Sequence, residues 1–93
     1  MIDMSSVPAE IRPEIAKELK RINCHIVVMC RKTPEPEGYL FGVIARTNKA
    51  SENEKPYSVH TFNSDFKELC SSLYDLRLSQ ALRALGAKIT DVE

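Results

Sequence analysis

NCHIVVMCRKTPEPEGYLFGVIARTNKASENEKPYSVHTFN, residues 23–63, decides the fold. It reads as three strands in succession. In residues 24–32 the run His25, Ile26, Val27, Val28, Met29 is largely apolar on both faces, the pattern of a covered strand. Residues 39–47 alternate: Tyr39, Phe41, Val43 and Ala45 point one way, and Leu40, Gly42, Ile44 and Arg46 the other. Gly42 marks a bulge or a close approach of packed backbone. In residues 56–62, Tyr57, Val59 and Thr61 oppose Ser58, His60 and Phe62. The leading Pro56 and the partly polar face predict an edge strand. Residues 32–38, with Pro34, Pro36 and Gly38, and the polar residues 48–55 read as loops.

A helical pattern lies on either side. Ile11, Ile15, Leu19 and Ile22 form one stripe over residues 8–22. Pro13 would break a helix interior but suits a first turn, so the regular helix starts near it and residues 8–12 form a separate turn. Lys17, Lys20 and Arg21 sit toward the C-terminal end, where the helix dipole favours cations. Glu10, Glu14 and Glu18 form an i, i+4 acidic row, offset by Lys17 and Arg21 and read as a solvated face.

After the strands, Asn63 and Ser64 offer an N-cap and Asp65 a first-turn acid. Phe66, Leu69, Cys70, Leu73 and Leu76 form one stripe, and Tyr74, Leu78, Ala81, Leu82 and Leu85 a second. This predicts a helix of about 20 residues ended by Gly86. Residues 88–93 are a tail or a short fourth strand. The second stripe needs another partner: the first helix, a bend in the helix, a second copy or a foreign protein.

The expected fold is α+β, a three-stranded antiparallel sheet flanked by an N-terminal and a longer C-terminal helix (αβββα), both on one face. Residues 1–93 form one domain. The expected core is Ile15, Leu19, Ile22, Ile26, Val28, Phe41, Val43, Val59, Phe66, Leu69, Leu73 and Leu76.

Composition narrows function. A 43% hydrophobic and 28% charged chain with 13 basic and 13 acidic side chains fits a soluble globular protein. The net charge of +0 gives no generic basic surface, so direct nucleic-acid binding is not favoured. Three cysteines, Cys24, Cys30 and Cys70, suit a reducing compartment better than a disulfide framework. Cys24 and Cys30 sit roughly 20 Å apart on one strand and cannot pair there. The N-terminus lacks a basic head followed by an apolar run, and CHIVVMC is too short to cross a bilayer. The expected location is cytoplasmic, with no membrane contact.

No motif for chemistry stands out. His25 and His60 lie in apolar patterns on different strands, without a Ser–His–Asp order or an HxxxH helix, and read as structural. Adjacent strand residues face opposite ways, which disfavours a Cys24–His25 dyad. Glu35 with Glu37 and Glu52 with Glu54 lie on loops where nothing shifts their pKa values apart. No phosphate loop occurs. No catalytic, metal or cofactor residues are therefore assigned, and the expectation is not an enzyme.

Two binding classes remain. The order helix, three strands, helix is shared with the double-stranded-RNA-binding domain, which needs basic side chains at the start of its second helix. Here that position reads SDFKEL, where Asp65 and Glu68 oppose Lys67, and no membership follows. An RNA-binding alternative would use a local basic edge of Arg31, Lys32, Arg46 and Lys49, with Tyr39, Phe41, Tyr57 and Phe62 stacking bases only if exposed.

The favoured class is a small protein-binding module acting by steric occupation of a partner surface. Leu78, Leu82 and Leu85 are its expected apolar anchors if exposed, flanked by Arg77 and Arg83. The partner is another protein or a protein–nucleic-acid complex, and the free chain a monomer or homodimer. By analogy of size and layout, the specific expectation is a phage-type inhibitor of a bacterial defence complex, similar to anti-CRISPR proteins.

Overall fold

The computed structural model describes residues 2–34, 37–46, 55–69 and 72–92, the last five of these by backbone alone. A 3-10 turn at Ala9–Ile11 leads into helix α1, Arg12–Arg21, with Pro13 in its first turn as the sequence requires. Strands β1 (Cys24–Pro34), β2 (Glu37–Arg46), β3 (Tyr57–Asn63) and β4 (Leu73–Leu76) follow, then helix α2, Leu78–Val92. The strands form one antiparallel sheet in the order β1-β2-β3-β4. The α+β fold with flanking helices and a short fourth strand is thus present. The fourth strand precedes the last helix, while residues 88–92 belong to that helix.

The helices lie on opposite faces of the sheet, not on one. Strand alternation explains why. Phe41 and Val43 of β2 and Phe62 of β3 join Ile15 and Leu19 of α1 in one buried cluster. Ile44 and Val59 point to the other face and pack with Ala81 and Leu85 of α2. Two bulges in β1, at Cys24/Ile26 and Val27/Met29, give its two-faced apolar pattern a physical form. Cys24, Val27 and Cys30 thereby reach the α1 side, while Ile26 and Val28 reach the α2 side. Gly42 stands opposite the second bulge, paired with Met29. The strand pairing runs through the sequence-predicted 32–38 loop, since Pro34 pairs with Glu37.

The largest correction concerns residues 64–69 and 72–77, which are not helical. Asn63 does not cap a helix. Its Oδ1 accepts from the backbone N–H groups of Asp65 (2.9 Å) and Lys67 (3.0 Å), which is a turn. Phe66 has φ 58, left-handed backbone no helix accommodates. The chain then runs back along β3: Leu69 N–H donates to the Thr61 carbonyl at 2.9 Å, and Phe62 bridges Glu68. Filling the open edge of β3 satisfies backbone groups that a helix there would leave to water. Consequently β3 is an inner strand and β4 is the edge. The edge of β1 is covered at Ile26 by the N-terminal segment, where Val27 N–H donates to the Asp3 carbonyl at 2.9 Å.

Leu69 and Leu73, expected in the core, are 42% and 44% exposed. Phe66 is half-buried, stacked on Phe41 at 5.8 Å. Buried residues beyond the expected set include Val7, Cys24, Val27, Leu40, Ile44, Phe62, Ala81 and Leu85. Cys70, Glu35, Lys49, Glu52 and Glu54 lie outside the described residues.

Helix α2 begins with half a capping box: Gln80 Oε1 accepts from Arg77 N–H at 2.9 Å. Gly86 does not end it, because the helix runs on to Val92. A Cβ at Gly86 would meet nothing within 4 Å. Gly86→Ala should therefore stabilise the protein by about 0.5–1 kcal/mol, measured by urea unfolding. A loss of stability would mean that Gly86 terminates the helix after all.

Candidate functional site

Two surfaces carry side chains that packing alone does not explain. The first lies beside α2. Leu73 pairs with Val59, so it sits on the α2 side of the sheet. Leu69, bonded at Thr61, lies on that side too. Leu78 (39% exposed) and Leu82 (45%) stand one turn apart on α2. Four exposed leucines thus share one side of the molecule. Tyr74, 59% exposed, lies at the edge toward the other face, where it meets His60.

Of the anchors assigned from sequence, Leu78 and Leu82 are exposed and Arg77 and Arg83 flank them in solvent. Leu85 is not an anchor. It is fully buried against Ile44 and Val59, because three residues along a helix turn it about 60° inward from Leu82. Leu69, Leu73 and Tyr74 join the surface instead. Their spacing fits a helix face and an exposed strand edge alike, so it does not distinguish the two.

The second surface centres on His60, whose ring is held at both nitrogens. Nε2 lies 2.9 Å from Ser58 Oγ, and Nδ1 lies 2.8 Å from Ser72 Oγ and 3.4 Å from Glu68 Oε1. Ser72 Oγ in turn donates to Glu68 Oε1. With its hydrogen given to the carboxylate, Ser72 Oγ accepts from Nδ1–H. In the neutral ring, Nε2 then accepts from Ser58 O–H. The Ser–His–Glu order resembles that of an activated nucleophile. Ser58, however, is only 3% exposed and is the ordinary i, i+2 neighbour of His60 on β3. The network fixes the ring rather than presenting the serine to an acyl group.

Ser58 and His60 open onto a cavity of about 310 Å³, also lined by Arg21, Asn23, Arg46 and Tyr74. A second cavity of about 480 Å³, lined by Ile2, Met4, Ala16, Lys20, Cys24 and His25, meets the first at Asn23 and Arg46. Burial pushes the Cys24 thiol up to about 12, outweighing a backbone hydrogen bond from Ile26, and so disfavours its thiolate. His25 is exposed and tilts against Tyr57 at 5.5 Å. It is separated from His60 by the whole of β2.

Of the basic residues considered for RNA, Lys49 lies outside the described residues, and Arg31 stands apart from Arg46. Arg31 pairs with Leu40 on β2, six residues from Arg46, or roughly 20 Å along the strand. Phe41 and Phe62 are buried and unable to stack on bases, while Tyr39 and Tyr57 are half-buried. Among the described residues no group of three His, Cys, Asp or Glu side chains is placed to hold a metal, and no helix is long and apolar enough to cross a membrane. Compared with protein-family models, curated proteins and solved structures, the chain matches none.

Proposed function

We propose that this chain is a non-enzymatic protein-binding module that works by covering part of a partner's surface. The observation behind this reading is the exposure of four leucines, at positions 69, 73, 78 and 82, on a small domain. Burying such side chains against a partner removes apolar area from water at about 25 cal/mol per Å². The edge strand β4 beside them adds backbone groups that a partner strand can pair with.

Charge indicates the kind of partner. Helix α2 has no acidic residue in its first turn, and Arg77 and Arg83 stand beside Leu78 and Leu82. The complementary surface is an apolar groove with an acidic rim. A standard interface takes about 800 Å² from each partner, or roughly an eighth of the 6125 Å² surface here. An inhibitor of a bacterial defence complex, masking one protein surface of a larger assembly, fits this mode of action.

The double variant Leu78→Asp, Leu82→Asp tests the reading. Both side chains are exposed, so the variant should remain folded by circular dichroism. Partner capture from the native host should fall at least tenfold, as for loss of about 1.4 kcal/mol or more. Sedimentation of the free chain separates a foreign partner from a second copy. A folded variant that retains every partner would place the interface elsewhere.

A further inference from the structure

We propose that His60 is a latch. It fastens the chain that returns along β3 after the Phe66 turn, and so positions Leu69 and Leu73 for the partner. The use of the latch rests on the protein-binding reading, whereas the latch itself is a property of the free chain.

Burial does little to hold the returning chain. It is anchored at its two ends, where Phe66 stacks on Phe41 at 5.8 Å and Leu76 packs against the α2-side core. Between these anchors Lys67, Glu68, Leu69, Leu73, Tyr74 and Asp75 are exposed. Among the described residues there, Ser72 alone is half-buried. Phe66 and Asp75, both at φ 58, bracket the stretch with left-handed backbone. Its backbone ties to β3 run from Asn63 N–H to the Lys67 carbonyl at 3.1 Å, from Leu69 N–H to the Thr61 carbonyl at 2.9 Å, and through the pairing of Leu73 with Val59. Exposed backbone bonds with few apolar contacts around them open at low free energy.

His60 adds a tie from inside. Its Nδ1 lies 2.8 Å from Ser72 Oγ and 3.4 Å from Glu68 Oε1. Ser72 Oγ also donates to Glu68 Oε1, but that contact is internal to the returning chain and does not hold it to β3. The bond from Nδ1–H does. A chain of hydrogen bonds ending on a carboxylate strengthens each member, and the His60 side chain is only 12% accessible. The ring is itself fixed: Ser58 Oγ stands 2.9 Å from Nε2, Phe62 stacks at 5.7 Å and 10°, and Tyr74 meets it edge-on at 5.7 Å and 82°.

Alternation carries the effect to the leucines. His60 pairs with Val43 and stacks on Phe62, which places its ring on the α1 side. Ser72 meets it there. The next residue, Leu73, therefore faces the α2 side beside Val59, which packs with Ala81 and Leu85. Holding Ser72 to the ring holds Leu73 next to the helix that carries Leu78 and Leu82. His60 lies across the sheet from these leucines and is a positioning residue.

The test is amide hydrogen exchange of the full chain, followed by NMR. In His60→Ala the Leu69 amide should exchange about tenfold faster or more, as for loss of about 1.4 kcal/mol, while the β2 amides stay within about threefold of wild type. Ser72→Ala removes the acceptor at a half-buried position outside the core and should match His60→Ala. His60→Asn places an amide nitrogen near the position of Nδ1 and should restore the protection. His60→Gln places it near that of Nε2 and should not. Unchanged Leu69 exchange in His60→Ala and Ser72→Ala, equal acceleration of every amide, or equal rescue by Asn and Gln would overturn the latch. Partner capture by the Leu78→Asp, Leu82→Asp variant tests the surface, and Leu69 exchange tests the latch, so either can fail without the other.

Discussion

Phe41→Ala is expected to remove about 3–5 kcal/mol of stability, the usual cost of emptying a buried aromatic site. Phe41 is 1% exposed and belongs to the α1-side core. Its ring meets Phe66 at 5.8 Å and Tyr39 at 6.1 Å, and it belongs to the cluster that holds Leu19, Val27 and Phe62. Truncation would leave a cavity between two strands, α1 and the turn carrying Phe66, elements that backbone pairing keeps from collapsing inward. A domain of this length holds about 5–14 kcal/mol in total, so the loss is about a fifth of the stability or more. Urea unfolding should show a lower midpoint with an unchanged slope. Leu73→Ala, at an edge position 44% exposed, should stay within about 0.5 kcal/mol of wild type. Equal losses at positions 41 and 73 would restore a helix across residues 64–77 and refute the edge strand.

That contrast shows which parts of the fold were legible in the sequence. Strands β1 to β3 announce themselves through alternation and punctuation, and the structure keeps their order, their antiparallel sense and their faces. Pro13 placed the start of α1 correctly. Residues 63–77 did not declare themselves, because each local signal has two meanings. Asn63-Ser64-Asp65 suits a helix N-cap and equally a side-chain turn, since both use the same side-chain acceptor. Leu73 and Leu76 stand three apart, which suits a helix. They face the same way in β4 because Asp75, at φ 58, adds a bulge residue between them. What decides between the readings is the unpaired edge of β3, a tertiary fact. The true helix start was faint, since Arg77 has no side-chain acceptor and only Gln80 marks the cap.

The sites divide in the same way. Arg77, Leu78, Leu82 and Arg83 were legible as an apolar helix face flanked by cations. The Ser58–His60 contact follows from strand alternation alone. The other half of that network was not legible, because Glu68 and Ser72 reach His60 only when the chain doubles back along β3. The cavity beside it depends on the Asn23–Arg46 link between distant segments, which no spacing in the sequence encodes.

Leu85→Asp should have the most severe effect of any single change considered, leaving the chain unfolded at 25 °C. Leu85 has no exposed surface and packs with Ile44, Val59 and Ala81, the buried set that joins α2 to the sheet. An aspartate there would lose the apolar contacts and either bury an unpaired carboxylate or take up a proton, and an uncompensated buried charge costs several kcal/mol. Added to the cavity left by the leucine, this approaches the whole stability of a domain of this size. Leu82→Asp introduces the same charge three residues earlier, at a site 45% exposed, and should leave the protein folded within about 1 kcal/mol of wild type. The two changes have the same chemistry and differ by about 60° around the helix. Near-native circular dichroism and an ordinary urea transition for Leu85→Asp would show that α2 does not pack through Ala81 and Leu85. The helix would then present a different face to solvent, and Leu78 and Leu82 would lose their claim to be the partner-binding pair.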